Sequence, residues 1–346
     1  NGLRCVYHGW KFDVDGQCTE QMNEPEPFAH KVRVTAYPVQ ELGGVIWVYM
    51  GPADRMPPAP RFEYTQAGAD FRGVSKVVQE CNWLQALEGG IDTSHAPILH
   101  RALRAEAAHL GIPPSTPFVQ GRAPLLEVDT TDYGYRYLGI RRLGEDRQYV
   151  RAYHFVMPFT QLRPGDGVSA DKEGTCVSGH HWVPIDDHTT MVWNWNYTFG
   201  DVPFTQEERE HEGGGNSRKY VDWENGFKAA GNRSNNWMID RAAQRVDTFT
   251  GIPGINAQDR AVQESMGLIV DRSREHLGPA DKAVIAARTL LRQAVASVQQ
   301  GGDPLGASDA YYAIRATQKV FSAAVPWQQE IMPDMYPVRT LVAAGG

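Results

Sequence analysis

The sequence predicts an α+β protein: a small all-β piece, a proline-rich linker, and a larger domain with a central antiparallel sheet covered by helices. Three observations carry this. Short β-prone runs punctuated by Asp15-Gly16 and Gly43-Gly44 fill the start of the chain, Pro52, Pro57, Pro58 and Pro60 follow, and strand-sized runs beyond residue 124 precede a long helical period. A length of 346 residues accommodates two domains of ordinary size. The balance of 34 Lys plus Arg against 41 Asp plus Glu, net −7, argues against non-specific nucleic-acid binding. No apolar run reaches the roughly 18 residues that a membrane span needs. Four cysteines are too few for a disulfide scaffold, so a reducing cytoplasm is the expected location.

Taken in order, Asp15-Gly16 predicts a hairpin turn, and Gly43-Gly44 separates the alternating run Val32 to Tyr37 from Val45 to Tyr49. The boundaries follow: 1–52 for the β piece, 53–70 for the linker and 71–346 for the second domain. Leu84, Leu87, Ile91 and Ile98 predict a helix from about Asn82 towards Arg101. Strands are predicted at Leu125–Val128, Tyr135–Ile140, Tyr149–Val156, Val177–Val183 and Thr190–Tyr197. Glu207, Glu208, Glu210 and Glu212, running into Gly213-Gly214-Gly215, predict a solvated loop. Two helices are predicted to close the chain, at about Asp281 to Gln299 and Ser308 to Phe321.

Several residue groups carry chemistry. Cys5-Val6-Tyr7-His8-Gly9-Trp10 places a thiolate and an imidazole three residues apart, which suits one zinc ion or one iron of an iron–sulfur centre, although that spacing alone more often marks a buried Cys beside a loop His. Asp92-Thr93-Ser94-His95-Ala96-Pro97-Ile98-Leu99-His100 sets two imidazoles five residues apart. On an unbroken helix that offset is about 140° around the axis, too wide for a shared face. Pro97 between them can distort or end the helix and let both rings converge on one ion; the alternative is two surface histidines near a helix end. Asp92, three residues before His95, is placed to accept its distal N–H. An iron site of two histidines needs a carboxylate from elsewhere. Asp259, in Ile255-Asn256-Ala257-Gln258-Asp259, is the expected donor, against a plain helix-start aspartate. His180 and His181 are adjacent on a strand and point to opposite faces, so the pair reads as a pocket or core feature.

Together these segments resemble the α subunit of Rieske non-haem iron oxygenases, particularly the phthalate-dioxygenase-like branch. Cys5-x-x-His8-Gly9-Trp10 matches the second half of the Rieske motif, Asp92-x-x-His95-x4-His100 the mononuclear-iron motif, and Asn256-Ala257-Gln258-Asp259 the third-ligand segment. Gln263-Glu264-Ser265-Met266-Gly267 and Asp271-Arg272-Ser273-Arg274-Glu275-His276-Leu277-Gly278 look like this branch. The resemblance implies Fe(II) held by His95, His100 and Asp259, and a 2Fe–2S cluster ligated in part by Cys5 and His8. It also implies a head-to-tail homotrimer in which Asp92 links His95 to a neighbour's cluster histidine, a separate reductase as electron donor, and insertion of oxygen from dioxygen into an aromatic substrate.

One departure stands out. A Rieske centre needs two Cys and two His, and only Cys5 and His8 occupy motif positions here. Cys18 and His30 have the wrong spacing to replace the other pair. The expectation is therefore an N-terminally truncated chain that does not assemble a complete cluster or turn over with a reductase. The branch often handles aromatic acids, for which Arg122 and Arg151 are candidate carboxylate partners against surface ion-pair roles. Trp193, Trp195 and Phe155 are pocket candidates that equally suit a core. An aryl-ether O-demethylase on the same site, a redox-inactive module binding aromatic ligands, and a hydrolytic zinc enzyme using His95 and His100 are the competing functions.

Overall fold

A computed structural model of the chain describes residues 2–121, 123–165, 170–172, 174–210, 216–307 and 314–337. The chain divides into two compact units, Asn1–Ala59 and Pro60–Gly346. In the first, β1 (Leu3–Arg4), β2 (Lys11–Phe12) and β3 (Cys18–Glu20) form an antiparallel sheet, while β4 (Val39–Leu42) and β5 (Val45–Val48) form a hairpin. The Asp15-Gly16 turn is present: Asp13 Oδ1 accepts from the Asp15 and Gln17 amides, and Gly16 takes φ +83°. Gly43 and Gly44 both have positive φ, as a two-residue hairpin turn requires. Their N-terminal strand is Val39–Leu42, not the predicted Val32 to Tyr37, where only Arg33 makes an isolated bridge to Gln17. Pro38, lacking an N–H, separates that run from β4.

The second unit begins with α1 (Glu63–Gln66), β6 (Arg72–Gln79), α2 (Trp83–Ile91), α3 (Ala96–Leu99) and α4 (Pro117–Gln120). A meander follows: β7 (Leu125–Thr130), β8 (Gly134–Leu143), β9 (Arg147–Val156), β10 (Thr160–Pro164), β11 (Cys176–Pro184) and β12 (Thr190–Thr198). The remainder holds α5 (Gln206–Glu210), β13 (Val221–Asp222), β14 (Lys228–Ala229), α6 (Arg241–Val246), α7 (Ile255–Ser265), α8 (Lys282–Gln299), β15 (Thr317–Ser322) and α9 (Trp327–Met335). The ten-stranded sheet runs β13-β14-β6-β12-β11-β10-β9-β8-β7, with β15 also on β9, and is antiparallel except where β14 meets β6. One face packs Val77, Tyr135, Tyr137 and Trp182 against Leu87 and Ile91 of α2 and Val284 and Ala287 of α8. The other sets Leu138, Val150 and Ala152 against Trp327, Ile331 and Met335 of α9. No helix among the described residues is long and apolar enough to cross a membrane.

The α+β class and the five predicted strands hold. Besides the Val32 to Tyr37 run, three local expectations in the second unit do not. The predicted helix at Ser308 to Phe321 is contradicted at its C-terminal end, because Thr317–Ser322 is a strand paired with Arg147–Ala152 of β9; residues 308–313 lie outside the described residues. Gln206–Glu210 of the predicted acidic loop is a short helix, and residues 211–215 lie outside the described ones. The helix predicted from Asn82 to Arg101 stops at Ile91.

Two glycines let α2 lie close to its neighbours. A Cβ on Gly90 would meet the Trp182 ring at 2.1 Å, and one on Gly89 would meet Gln263 Nε2 at the same distance. Helix propensity alone favours Gly90→Ala by about 1 kcal/mol. Forcing a rigid indole out of a packed layer costs about 1–3 kcal/mol, so the clash wins. Gly90→Ala is therefore expected to lower the thermal midpoint; a rise would show that the approach is not tight.

Candidate metal centre

The break after α2 builds one corner of the site. Asp92 leaves the helix in an extended conformation (φ −69°, ψ 126°), and its carboxylate turns back to accept from the Ser94 and His95 amides at 2.8 and 3.1 Å. This is the turn that Asp forms readily through its own side chain. His95 then caps the one-turn helix α3, Pro97 sits in its first turn, and His100 closes it. Pro97 thus starts a helix where it was expected to distort or end one. The break falls before both histidines and not between them: His95 to His100 is one helical turn, with the Leu99 and His100 amides donating to the His95 and Ala96 carbonyls at 2.9 and 3.1 Å. The two imidazole centroids lie 5.2 Å apart at 75°. Just after Asp92, Thr93 is tied to the sheet: Arg141 donates to its carbonyl at 2.6 Å, and its hydroxyl pairs with Tyr153 Oη at 2.6 Å.

The opposite corner is α7, which starts at Gly254 (φ +91°). Its second turn brings Asp259 Oδ1 to 3.2 Å from both His95 Nε2 and His100 Nε2. Among the described residues these three form the group of His, Cys and acidic side chains whose ligand atoms all lie within 4.8 Å of one another. The far sides of both rings are held. His95 Nδ1 donates to Asp92 Oδ2 at 2.8 Å, and His100 Nδ1 donates to Gln258 Oε1 at 2.8 Å. Gln258 is oriented in turn by Nε2 donating to the carbonyls of Ile252 and Leu110. Protons fixed on both Nδ1 atoms leave the Nε2 lone pairs directed at the gap beside Asp259, the arrangement that metal-ligating histidines adopt.

Electrostatics agree with a cation in that gap. Burial alone would push Asp259 up, but the flanking imidazoles hold it well below the usual carboxylate range. Burial would lower His95, yet Asp259 and Asp92 raise it to about 10. The trio plus Asp92 is built to carry positive charge, a proton on His95 or a divalent ion in its place. Two imidazoles and one carboxylate on one side fit a facial Fe(II) site and leave its other positions open.

Sequence reasoning missed the role of Gln258. Its signal was its place beside Asp259, but a glutamine carries no intrinsic metal chemistry. Gln258→Ala is expected to weaken Fe(II) affinity about 10–100-fold while leaving all three ligands in place. Titration against a competing chelator checks this, and equal affinity in the two proteins rejects the role.

The other expected residues are scattered. Cys5 is exposed, and its amide and carbonyl close a tight loop with Trp10 and Gly9. His8 is exposed and packs edge-on against Tyr7. Cys18 is buried with Sγ towards the Glu20 carbonyl, and His30 is exposed, so neither joins them. Arg122 lies outside the described residues. Arg151 is buried in β9, with Nη1 donating to Gln318 at 2.7 Å and Tyr149 at 3.4 Å, and Nη2 to the Pro164 carbonyl at 3.0 Å. Trp195 stacks on Tyr64 at 4.5 Å and Phe155 packs on Tyr135, both as core; Trp193 lies under the Lys76 ammonium. His180 and His181 do point to opposite faces. His181 bonds Tyr64 Oη and Thr160 Oγ1, while His180 looks towards Asn256 and Asp259 on α7; burial pushes both down to about 3, so both are neutral.

A large antiparallel sheet, with two histidines and an aspartate gathered between α3 and α7, defines the class of mononuclear non-haem iron oxygenases. Comparison narrows it. Residues 48–336 match the family described as LigXa C-terminal domain like. The chain is 34% identical over 345 residues to the 3-chlorobenzoate-3,4-dioxygenase oxygenase subunit of Comamonas testosteroni, covering 94% of this chain and 78% of that one. It is 35% identical over 347 residues to the phthalate 4,5-dioxygenase oxygenase subunit of Pseudomonas putida, covering 95% and 75%. The fold is shared with the NdmA QL mutant of Pseudomonas putida CBB5 solved with theobromine, at TM-score 0.56 and 18% identity over 94% of this chain and 79% of that one. The chain belongs to the Rieske non-haem iron oxygenase family, in its phthalate-dioxygenase-like branch.

Proposed function

We propose that this chain is an oxygenase component that inserts dioxygen-derived oxygen into an aromatic, carboxylated substrate at Fe(II) held by His95, His100 and Asp259. The observation that carries the reading is the convergence of two Nε2 atoms on one carboxylate oxygen while both Nδ1 atoms are bound elsewhere. Fe(II) bound there would supply the centre at which dioxygen is activated. The protein's own part is orientation and charge. Asp92 Oδ2 keeps the proton on His95 Nδ1, and Gln258 Oε1 keeps that on His100 Nδ1. Asp259 contributes the anionic ligand, and Arg141 and Tyr153 hold the Asp92–His95 turn against the sheet. Arg151 adds positive charge to the wall of the same sheet face, and Arg122 is the other candidate for the substrate acid.

Residues 1–52 are assigned to a Rieske domain, 53–70 to the linker and 71–346 to the catalytic domain. Cys5 and His8 would supply two of the four ligands of a 2Fe–2S cluster. A reductase would provide electrons, and Asp92, about a quarter exposed beside His95, would face the neighbour's cluster in a homotrimer. The test is anaerobic reconstitution with Fe(II) and metal analysis, followed by exposure to dioxygen with a chemical reductant, which bypasses the cluster and the reductase, and a substrate panel of aromatic acids and methoxyarenes. One iron per chain with hydroxylated aromatic acids supports the reading. Demethylated methoxyarenes would favour the O-demethylase, and zinc retained in preference to iron would overturn the oxygenase.

A further inference from the structure

Between β14 and α7 the chain makes a detour that opens on a strained turn. Asn236, Trp237 and Met238 have φ of +53°, +50° and +54°, three left-handed residues in succession with no glycine among them. Left-handed backbone is ordinarily confined to Gly and to isolated Asn or Asp, and such strain persists only where surrounding contacts fix it. The fixing contact is Glu264, in the last turn of α7 and 2% exposed. Its carboxylate accepts from Trp237 Nε1 at 2.7 Å and from the Glu80 amide at 3.0 Å, and its carbonyl accepts from Arg233. One side chain thereby joins the detour to α7 and to the connection between β6 and α2. This gives a physical role to part of the Gln263-Glu264-Ser265-Met266-Gly267 run.

Beyond the turn the detour closes on itself, the Asp240 amide donating to the Gly251 carbonyl at 3.0 Å. Its return limb grips the segment that follows His100. The Leu103 amide donates to the Asp247 carbonyl at 2.7 Å, the Phe249 amide to the Arg101 carbonyl at 3.1 Å, and Ala102 bridges Thr248. Arg104 pairs with Asp247, and the Ile252 carbonyl accepts from Gln258, the residue that also orients His100. Ala102, Thr248 and Ile252 are buried, so the grip is packed and not merely solvated contact.

We propose that Glu264 is a positioning residue: through Trp237 it holds residues 236–252 as a strained strap that keeps His100 against the Asp259 helix. Release of the Trp237 hydrogen bond lets the left-handed turn relax, loosens the Leu103 and Phe249 bonds behind His100, and opens the centre to metal exchange. Only that last step rests on the metal-centre reading above; the strap belongs to the chain with or without metal.

Hydrogen exchange of the metal-free chain, read by mass spectrometry, and the rate of Fe(II) transfer from loaded protein to a chelator test this. Trp237→Phe keeps a ring and removes the donor. Exchange in residues 100–104 and 236–252 and the Fe(II) transfer are each expected to quicken about tenfold, with exchange in β8 and β9 as in the wild type. Met238→Gly removes the Cβ that makes the turn costly and leaves Trp237 and Glu264 in place, so both rates are expected to slow about threefold. Loss of packing alone would quicken exchange in both variants; opposite responses separate a strained strap from plain structural support. Strap exchange equal in wild type and Trp237→Phe, a rise that extends equally to β8 and β9, or quicker exchange in Met238→Gly overturns the proposal. Strap exchange that responds while Fe(II) transfer does not overturns the positioning of His100. A wild-type chain that binds no Fe(II) removes the metal-centre reading instead, and exchange in residues 100–104 then decides the proposal by itself.

Discussion

Asp259→Ala is expected to fold and to purify without iron, with oxygenation below detection. Asp259 supplies the anionic ligand of the trio, and its Oδ1 is the atom on which both Nε2 atoms converge. Two neutral imidazoles alone hold Fe(II) weakly, since affinity for hard divalent ions depends on carboxylate as well as nitrogen donors. His95→Ala and His100→Ala should lose iron as well. Asp259 is about a quarter exposed, so truncation leaves little buried void, and far-ultraviolet dichroism should match the wild type. Metal analysis of the three purified variants decides the matter. Iron content unchanged in all three removes the basis for the oxygenase assignment.

The second large effect is on stability. Glu88, in the last turn of α2, accepts from Arg288 Nε and Nη2 at 2.6 and 2.9 Å and from Arg272 Nη1 at 2.8 and 3.0 Å. Glu275 closes the ring by accepting from Arg288 at 2.7 and 2.9 Å and from Arg272 at 3.2 Å. Glu88→Ala leaves two guanidinia sharing one carboxylate in a partly desolvated place. Breaking a fully buried pair costs about 3–5 kcal/mol. Arg272 is 31% and Arg288 21% exposed, so roughly 2–3 kcal/mol is expected here. Urea unfolding of Glu88→Ala and Glu88→Gln measures it, and a loss under about 0.5 kcal/mol in both would mean solvent screens the ring. Arg288 hydrogen bonding holds the Glu275 carboxyl below its usual value. Its contribution is accordingly complete above the ordinary glutamate range and is lost only as pH falls through the lowered value.

Legibility followed the range of the interactions. Strands such as Gly134–Leu143 and Arg147–Val156 announce themselves because hydrophobic and turn signals lie within one hairpin. Arg72–Gln79 was passed over: Gly, Ser, Lys and Gln dilute its pattern, although every second residue is buried. Thr317–Ser322 has no local strand signal strong enough to outweigh a helical reading. It becomes a strand because β9 offers an unpaired edge at Arg147–Ala152, far away in sequence. Thr160–Pro164 and Trp327–Met335 were missed for the same reason, being short elements that acquire their form from the sheet they join.

The amino-acid order by itself determined the inventory of the centre: two imidazoles, an aspartate before them and a carboxylate opening a later helix, in spacings that mark the family. It did not determine their meeting. That was decided by the Asp92 turn that breaks α2, by glycines 89 and 90 that bring the helix down onto Trp182 and Gln263, and by a glutamine that orients His100. The physical reason is that ligand identity is local chemistry. Convergence is a sum over contacts between segments more than a hundred residues apart.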